Sequence, residues 1–183
     1  LEPFGDPEIV ATEPWAYVRR DGDPALTRYF AMLGMNDPLC LFLGNYDRQC
    51  MITGRWTDLR IEQVDCGAYL KLKLAPDNLP TIGANGFIFR RKLLDVVSWE
   101  PYFFDIDVVH QAVKAGFCHV AKVKSGIVHL YGDTLYRFAR KQDRRVKDFL
   151  FFSGAQARSY PWSLHRWTSI ANFCLSTVLI VPL

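Results

Sequence analysis

An α/β fold is what this sequence predicts, and three observations predict it. Along 183 residues, short apolar or alternating runs bounded by turn residues give way repeatedly to stretches of helical period. Half of the residues are apolar and 14% are aromatic, a composition that excludes a disordered or low-complexity chain. A chain of this length buries a real core as one ordinary domain. Mixed strands and helices of this kind assemble as α/β or α+β layers, and no internal repeat points to a solenoid.

Residues 8–17 alternate loosely and run into Arg19-Arg20-Asp21-Gly22-Asp23, which reads as a strand entering a turn. Pro24 then opens a helical stretch over 25–33, with proline at the first-turn position. Asn36-Asp37-Pro38 breaks it, and a short apolar run over 39–43 stops at Gly44-Asn45. Residues 51–56 and 69–74 read as strands, 75–80 as a loop, and Thr81-Ile82-Gly83-Ala84-Asn85-Gly86 leads directly into Phe87-Ile88-Phe89-Arg90-Arg91. Asp105 is a good N-cap for a helix whose apolar positions are Ile106, Val109, Ala112 and Val113, ended by Gly116. Residues 119–123 and 127–130 read as short strands, and Thr134 caps a long helix running to about Phe152.

The formal net charge of +3 is far below the basic excess of a typical DNA-binding domain, so no nucleic-acid partner is expected. The five cysteines, Cys40, Cys50, Cys66, Cys118 and Cys174, are odd in number and form no Cys-x-x-Cys pair. Neither a zinc ribbon nor a disulfide framework is indicated, and a reduced, cytosol-facing setting fits best. The chain opens on Leu1 without the pattern of a signal peptide and stops inside an apolar run, so both ends read as cuts.

The long helix is the most informative object that periodicity provides. At 100° per residue, Leu135, Phe138, Val146, Phe149 and Leu150 share one face, while Arg137, Arg140, Lys141, Arg144 and Lys147 fall mainly on the other. Gln142 and Arg145 sit on the apolar side as neighbours three residues apart. Two readings stand: a pair satisfied by backbone carbonyls, or a polar pair aimed into a ligand site. The basic face suits anionic lipid headgroups. Tyr160, Trp162 and Trp167, with Arg158, His165 and Arg166, form a belt of aromatic and basic residues. Residues 168–183 then carry no charge, short of the roughly 20 residues of a full span but consistent with the start of one. The expected organisation is a globular part over 1–133, a basic interfacial helix over 134–157, and a membrane-proximal end over 158–183.

Several local patterns resemble one family. Leu1-Glu2-Pro3-Phe4-Gly5-Asp6-Pro7-Glu8-Ile9-Val10 is similar to the segment after the Asp-x-Asp metal motif of family-two glycosyltransferases. Gly83-Ala84-Asn85-Gly86-Phe87-Ile88-Phe89-Arg90-Arg91 resembles the family's glycine-containing stretch that ends in Phe-Arg-Arg. Phe104-Asp105-Ile106-Asp107-Val108 resembles its Glu-Asp-x-Asp-Leu motif, Lys114-Ala115-Gly116-Phe117 the end of the helix that follows, and Val128-His129 the strand end after that. Gln142-Asp143-Arg144-Arg145-Val146 looks like a variant of the Gln-x-x-Arg-Trp motif of membrane-bound members. Phe104 stands where the family usually has glutamate, and Val146 where processive synthases have tryptophan.

The resemblance implies the acceptor-side half of a GT-A catalytic domain, facing the cytoplasm on a membrane. It implies inverting transfer from a nucleotide-sugar donor to a lipid-linked or glycan acceptor. A divalent ion, Mg²⁺ or Mn²⁺, would be held mostly by an Asp-x-Asp motif that this chain lacks, which leaves the isolated chain inactive. By position in its motif, Asp105 is the base that takes the proton from an acceptor hydroxyl; by sequence alone it is a plain N-cap. Asp107, about 200° further round the helix, has a supporting role. Gly83, Ala84, Asn85 and Gly86 would let backbone approach a substrate closely. One of Arg90 and Arg91 would neutralise phosphate, as would Arg145 with Gln142. His129 is the candidate metal neighbour, or else a core histidine at a strand end. The rivals are a processive polysaccharide synthase and a membrane-anchored binding domain without catalysis.

Overall fold

The structure, a computed structural model, describes residues 2–100, 103–131, 134–154 and 158–161. Its strands are β1 (Ala11–Val18), β2 (Glu62–Asp65), β3 (Tyr69–Lys73), β4 (Ile88–Phe89) and β5 (His119–Val128), and its helices α1 (Ala25–Leu33), α2 (Leu39–Leu43), α3 (Asp105–Lys114) and α4 (Leu135–Gly154). The strands form one mixed sheet in the order β2-β3-β5-β1-β4. β1 and β5 run parallel, and the remaining neighbours are antiparallel. The fold class is therefore α/β, as the alternation of patterns predicts.

Helix α3 divides its apolar side chains between two clusters. Val109 and Val113 pack with Leu70, Leu72 and Val120 of the sheet, while Val108 and Ala112 meet Val10, Leu93 and Val97. Full burial of a side chain such as Leu72 contributes about 1.5–3 kcal/mol, so these contacts hold α3 against the sheet. A third cluster joins α1 to Tyr46, Cys50 and Tyr131.

Three elements differ from their sequence patterns. Residues 51–56 form turns rather than a strand: Cys50 N–H donates to Arg55 O at 2.8 Å and Gly54 N–H to Cys50 O at 2.9 Å. β2 is exposed along its length and so carries no alternation to detect. β5 is one strand where the pattern suggests two. Pro14 pairs with Val123 but Ala16 with Gly126, so β5 has one extra residue there. Pro14 has no N–H to give the ladder, and a bulge accommodates the mismatch. The exposed residues Lys124-Ser125-Gly126 break the apolar pattern at that point.

α4 turns only part of its apolar face inward. Phe138 does turn inward, its ring 5.6 Å from Phe30, but Leu135, Val146 and Leu150 are 73%, 57% and 64% exposed. The Phe149 side chain lies outside the described residues. Lys141, Gln142 and Arg145 are among the half-buried side chains of the helix, because Tyr131 and Asn36 meet them there. Of the expected aromatic belt, Tyr160 is buried in the body: its N–H donates to Asp107 Oδ1 at 2.8 Å and its hydroxyl to Leu79 O at 2.6 Å. Arg158 Nε donates to Asp107 Oδ2 at 2.6 Å. Trp162, His165, Arg166, Trp167 and the uncharged stretch 168–183 lie outside the described residues. Among those described, no helix is long and apolar enough to cross a membrane.

Candidate functional site

The site is built at the carboxyl edge of the parallel pair β1–β5. α3 leads directly into β5, so its amino end, carrying Asp105, is turned to that edge. Tyr17 lies near the end of β1 and His129 just after β5, their ring centroids 5.2 Å apart. In α/β sheets, loops and helix ends converge on ligands beyond the carboxyl ends of parallel strands.

Asp105 is the first residue of α3, with Phe104 in the N-cap place that the sequence suggests for Asp105. Its Oδ1 accepts the Ile106 N–H at 2.9 Å. A carboxylate at a helix start is ordinarily made more acidic. Here burial pushes the Asp105 carboxyl above its ordinary value, and Glu13 adds to this, against the opposing pull of Ile106 N–H, Arg158 and Arg145.

The 83–86 loop is pressed onto this helix end. Gly83 has φ +139°, and a Cβ there would lie 2.9 Å from the Asp105 carbonyl carbon, so both the conformation and the space require glycine. Its N–H donates to Glu13 Oε1 at 3.2 Å. Arg48 Nη2 donates to the carbonyls of Ala84 at 2.7 Å and Asn85 at 3.0 Å. Asn85 Nδ2 donates to the Tyr17 hydroxyl at 2.9 Å. Gly86, although solvent-exposed, lies over β1 and β5, where a Cβ would stand 3.0 Å from Pro14 Cγ and 3.2 Å from Ile127 Cδ1.

Beneath the loop is a buried cluster of four ionisable residues, Glu13, Asp47, Arg48 and Lys122, which no sequence motif joins. Glu13 and Lys122 are register partners on β1 and β5, with Lys122 Nζ 2.6 Å from Glu13 Oε2. Arg48 Nη2 lies 3.0 Å from Glu13 Oε1, and Lys122 also donates to the Asp47 carbonyl. Burial pushes the Glu13 carboxyl up, but Lys122 and Arg48 outweigh it and hold it below its ordinary value. Asp47 goes the other way: burial, with Glu13's charge added, raises it from 3.8 to about 7.

The sign of the resulting pH dependence follows. Between pH 4 and pH 7 the folded state holds a proton on Asp47 that the unfolded chain has released. Native stability from this group therefore falls as pH rises through that window. Urea unfolding of the parent and of Asp47→Asn across pH 4–8 checks it. The parent is expected to lose stability relative to the variant as pH rises, and parallel profiles would refute the assignment.

Further along the edge, Tyr131 gathers the α4 side chains. Gln142 Nε2 donates to its hydroxyl at 3.0 Å, and Arg145 Nη1 donates to it at 3.2 Å and to Asn36 O at 2.8 Å. Lys141 Nζ stands 4.2 Å from the Tyr131 ring centre. His129 lies between Tyr17 and Tyr131. Burial, then Lys141, Arg48 and Arg145, press its pKa down to about 4, so the imidazole is neutral near pH 7. Its Nδ1 is buried without a hydrogen-bond partner among the described residues. Such a nitrogen fits one metal ligand, but no three His, Cys, Asp or Glu side chains converge among the described residues. Cations around it favour an anion.

The remaining candidates lie elsewhere. Arg90 spends its guanidinium on main-chain oxygens, Nε to Ile9 at 2.8 Å and Nη2 to Phe4 at 2.7 Å, tying β4 to the chain's first turn. Arg91 is exposed at the start of a short 3₁₀ turn. Asp107 is held by Arg158 and the Tyr160 N–H. Asp105, the 83–86 loop, His129, Gln142 and Arg145 are thus brought to one edge, with Asp107 bound to the 158–160 segment and both arginines of Phe-Arg-Arg away from it. Comparison with known proteins finds no matching family model, no similar curated protein and no similar solved structure.

Proposed function

We propose that these residues are the acceptor-side half of a membrane-attached, family-two glycosyltransferase of GT-A fold. Its reaction is inverting transfer of a sugar from a nucleotide-sugar donor to a lipid-linked or membrane-proximal acceptor. The observation that carries this reading is the packing of Gly83 against the Asp105 backbone. It joins the two stretches that most resemble family motifs, beside Glu13 of the parallel strand β1, whose carboxylate accepts the Gly83 N–H.

Each group then has a role. A hydroxyl acceptor loses its proton to Asp105 as its oxygen bonds the sugar carbon and the bond to the diphosphate breaks. The raised Asp105 pKa suits a base better than an ordinary surface carboxylate. For an acceptor that is already an ionised lipid phosphate, Asp105 orients it instead. Arg145, whose charge acts on both Asp105 and His129, stabilises the anionic side of the reaction together with Lys141. A Mg²⁺ or Mn²⁺ ion would supply charge neutralisation at the diphosphate; His129 is the one candidate ligand among the described residues, and the cations around it leave the ion to residues outside this chain. Val146 stands where processive synthases have tryptophan, which favours single transfer over chain extension.

The test is biochemical. The chain joined to an upstream half that carries Asp-x-Asp is expected to release nucleoside diphosphate from a nucleotide sugar. Release should require Mg²⁺ or Mn²⁺ and increase with membrane lipid acceptors. The 183-residue chain alone should release none. Metal-independent release, or release by this chain alone, would sink the reading.

A further inference from the structure

We infer that Arg158 is a positioning residue of the Asp105 site, carried there from beyond α4 by Asp107, and that its charge keeps the Asp105 carboxylate ionised. The use of that carboxylate as a base rests on the proposed sugar transfer, whereas the placement of Arg158 does not. Its Nε donates to Asp107 Oδ2 at 2.6 Å, and Asp107 Oδ1 accepts the Tyr160 N–H at 2.8 Å. One carboxylate on α3 therefore grips the segment that follows α4 at two points. Between them, Ser159 Oγ lies 2.6 Å from His110 Nδ1, one turn further along α3. The Arg158 guanidinium is thereby laid over the Phe104 ring, 4.2 Å from its centre. Phe104 is the N-cap residue immediately before Asp105, and Phe152 of α4 meets the same ring with 4.7 Å between centroids. The side chains of Asp107 and Arg158 are only 3% and 13% exposed. An arginine that merely kept a surface segment soluble would reach into water instead.

The chemistry of the site gives this cation a task. A base works only while it is ionised. Burial favours the protonated acid at Asp105, and Glu13 of β1 adds a like charge, against the Ile106 N–H, Arg158 and Arg145. The two cations arrive from different places. Arg145 comes from α4, held at Asn36 and Tyr131, and Arg158 from the 158–160 segment, held at Asp107. This also explains why two aspartates two residues apart serve one site. Asp107 lies about 200° round the helix from Asp105 and faces away from the 83–86 loop, so it acts through the arginine it holds. The pair neutralises its own charges and leaves a fixed guanidinium at the amino end of α3.

The test reads the carboxyl itself and needs no turnover. In the whole chain carrying ¹³C-labelled aspartate, the Asp105 side-chain signal, assigned by its loss in Asp105→Asn, is followed as pH is varied. Arg158→Gln should raise its midpoint by about one pH unit, the effect of losing an opposite charge at close range. Glutamine keeps an N–H donor for Asp107, and Arg158→Met is a second uncharged variant with a stem of similar reach. Arg158→Lys, which keeps the charge, should recover part of the shift. In an Asp107→Asn background, Arg158→Gln should move the midpoint far less, because the guanidinium is no longer fixed there. Thermal unfolding accompanies each variant. A segment that is only tethered would lower the unfolding temperature and leave the midpoint in place, and that result overturns the inference. So does an equal shift with and without Asp107. A midpoint that moves as expected in a protein that transfers no sugar keeps the inference and overturns only the proposed reaction.

Discussion

Asp105→Asn is expected, on the proposed sugar-transfer reading, to lower turnover of the chain joined to an Asp-x-Asp half by about 10²–10⁴-fold with a hydroxyl acceptor, the usual worth of a positioned general base, while donor affinity is unchanged. The substitution is nearly isosteric. The amide oxygen still accepts the Ile106 N–H, and the Gly83 contact is with backbone atoms, so α3 and the loop keep their places. What is lost is the ability to accept a proton. A loss in kcat without a matching rise in the donor KM is the signature of a group that acts in the transition state. The pH profile adds an internal check. In the parent, kcat should fall on the acid side as Asp105 protonates, at a pH above that of an ordinary aspartate because burial raises its pKa. That limb should vanish in the variant. Near-normal turnover with a hydroxyl acceptor would remove Asp105 from the chemistry.

The second large effect lies one layer deeper. Glu13→Ala leaves Arg48 and Lys122 enclosed with their main countercharge gone, and breaking a buried pair in this way typically costs about 3–5 kcal/mol. It also removes the acceptor of the Gly83 N–H, which loosens the loop that meets Asp105. Asp47 is the one carboxyl in place to compensate. Its pKa is raised partly by Glu13, so deleting Glu13 lets it ionise at lower pH and recover part of the loss. The loss should therefore be smaller at pH 8 than at pH 5, measured as the shift in urea midpoint at constant slope. A loss below about 1 kcal/mol at both pH values would show that the cluster contributes little beyond packing.

What could be read in the sequence follows from how local each signal is. α1 is legible to the residue because Pro24 and Gly34 bracket one apolar stretch. The inward faces of α3 are legible because Val109 and Val113 follow a helical period. Asp105 and the 83–86 loop could be picked out only by resemblance, since their meeting depends on one glycine approaching a helix from outside it. The charged cluster was hidden because its members are far apart in sequence and paired only by register. A sign was present nonetheless: Glu13 and Lys122 each interrupt an otherwise apolar stretch of a strand buried at that point. The facing of α4 is not legible because periodicity gives the angle between faces and says nothing about which one has a partner. Tyr131, lying outside the helix, decides that.

That arrangement makes the imidazole of His129 a gauge of where α4 lies. Part of what suppresses its protonation is the field of Lys141 and Arg145, and both belong to α4. Any displacement that carries these two cations off the edge lets the ring protonate at a higher pH, with no change in its own covalent surroundings. The reverse also holds, because coupling between two equilibria is mutual. A charge placed on His129 repels the inner side of α4 and favours its departure. The orientation of one helix and the ionisation of one ring are thus a single linked quantity.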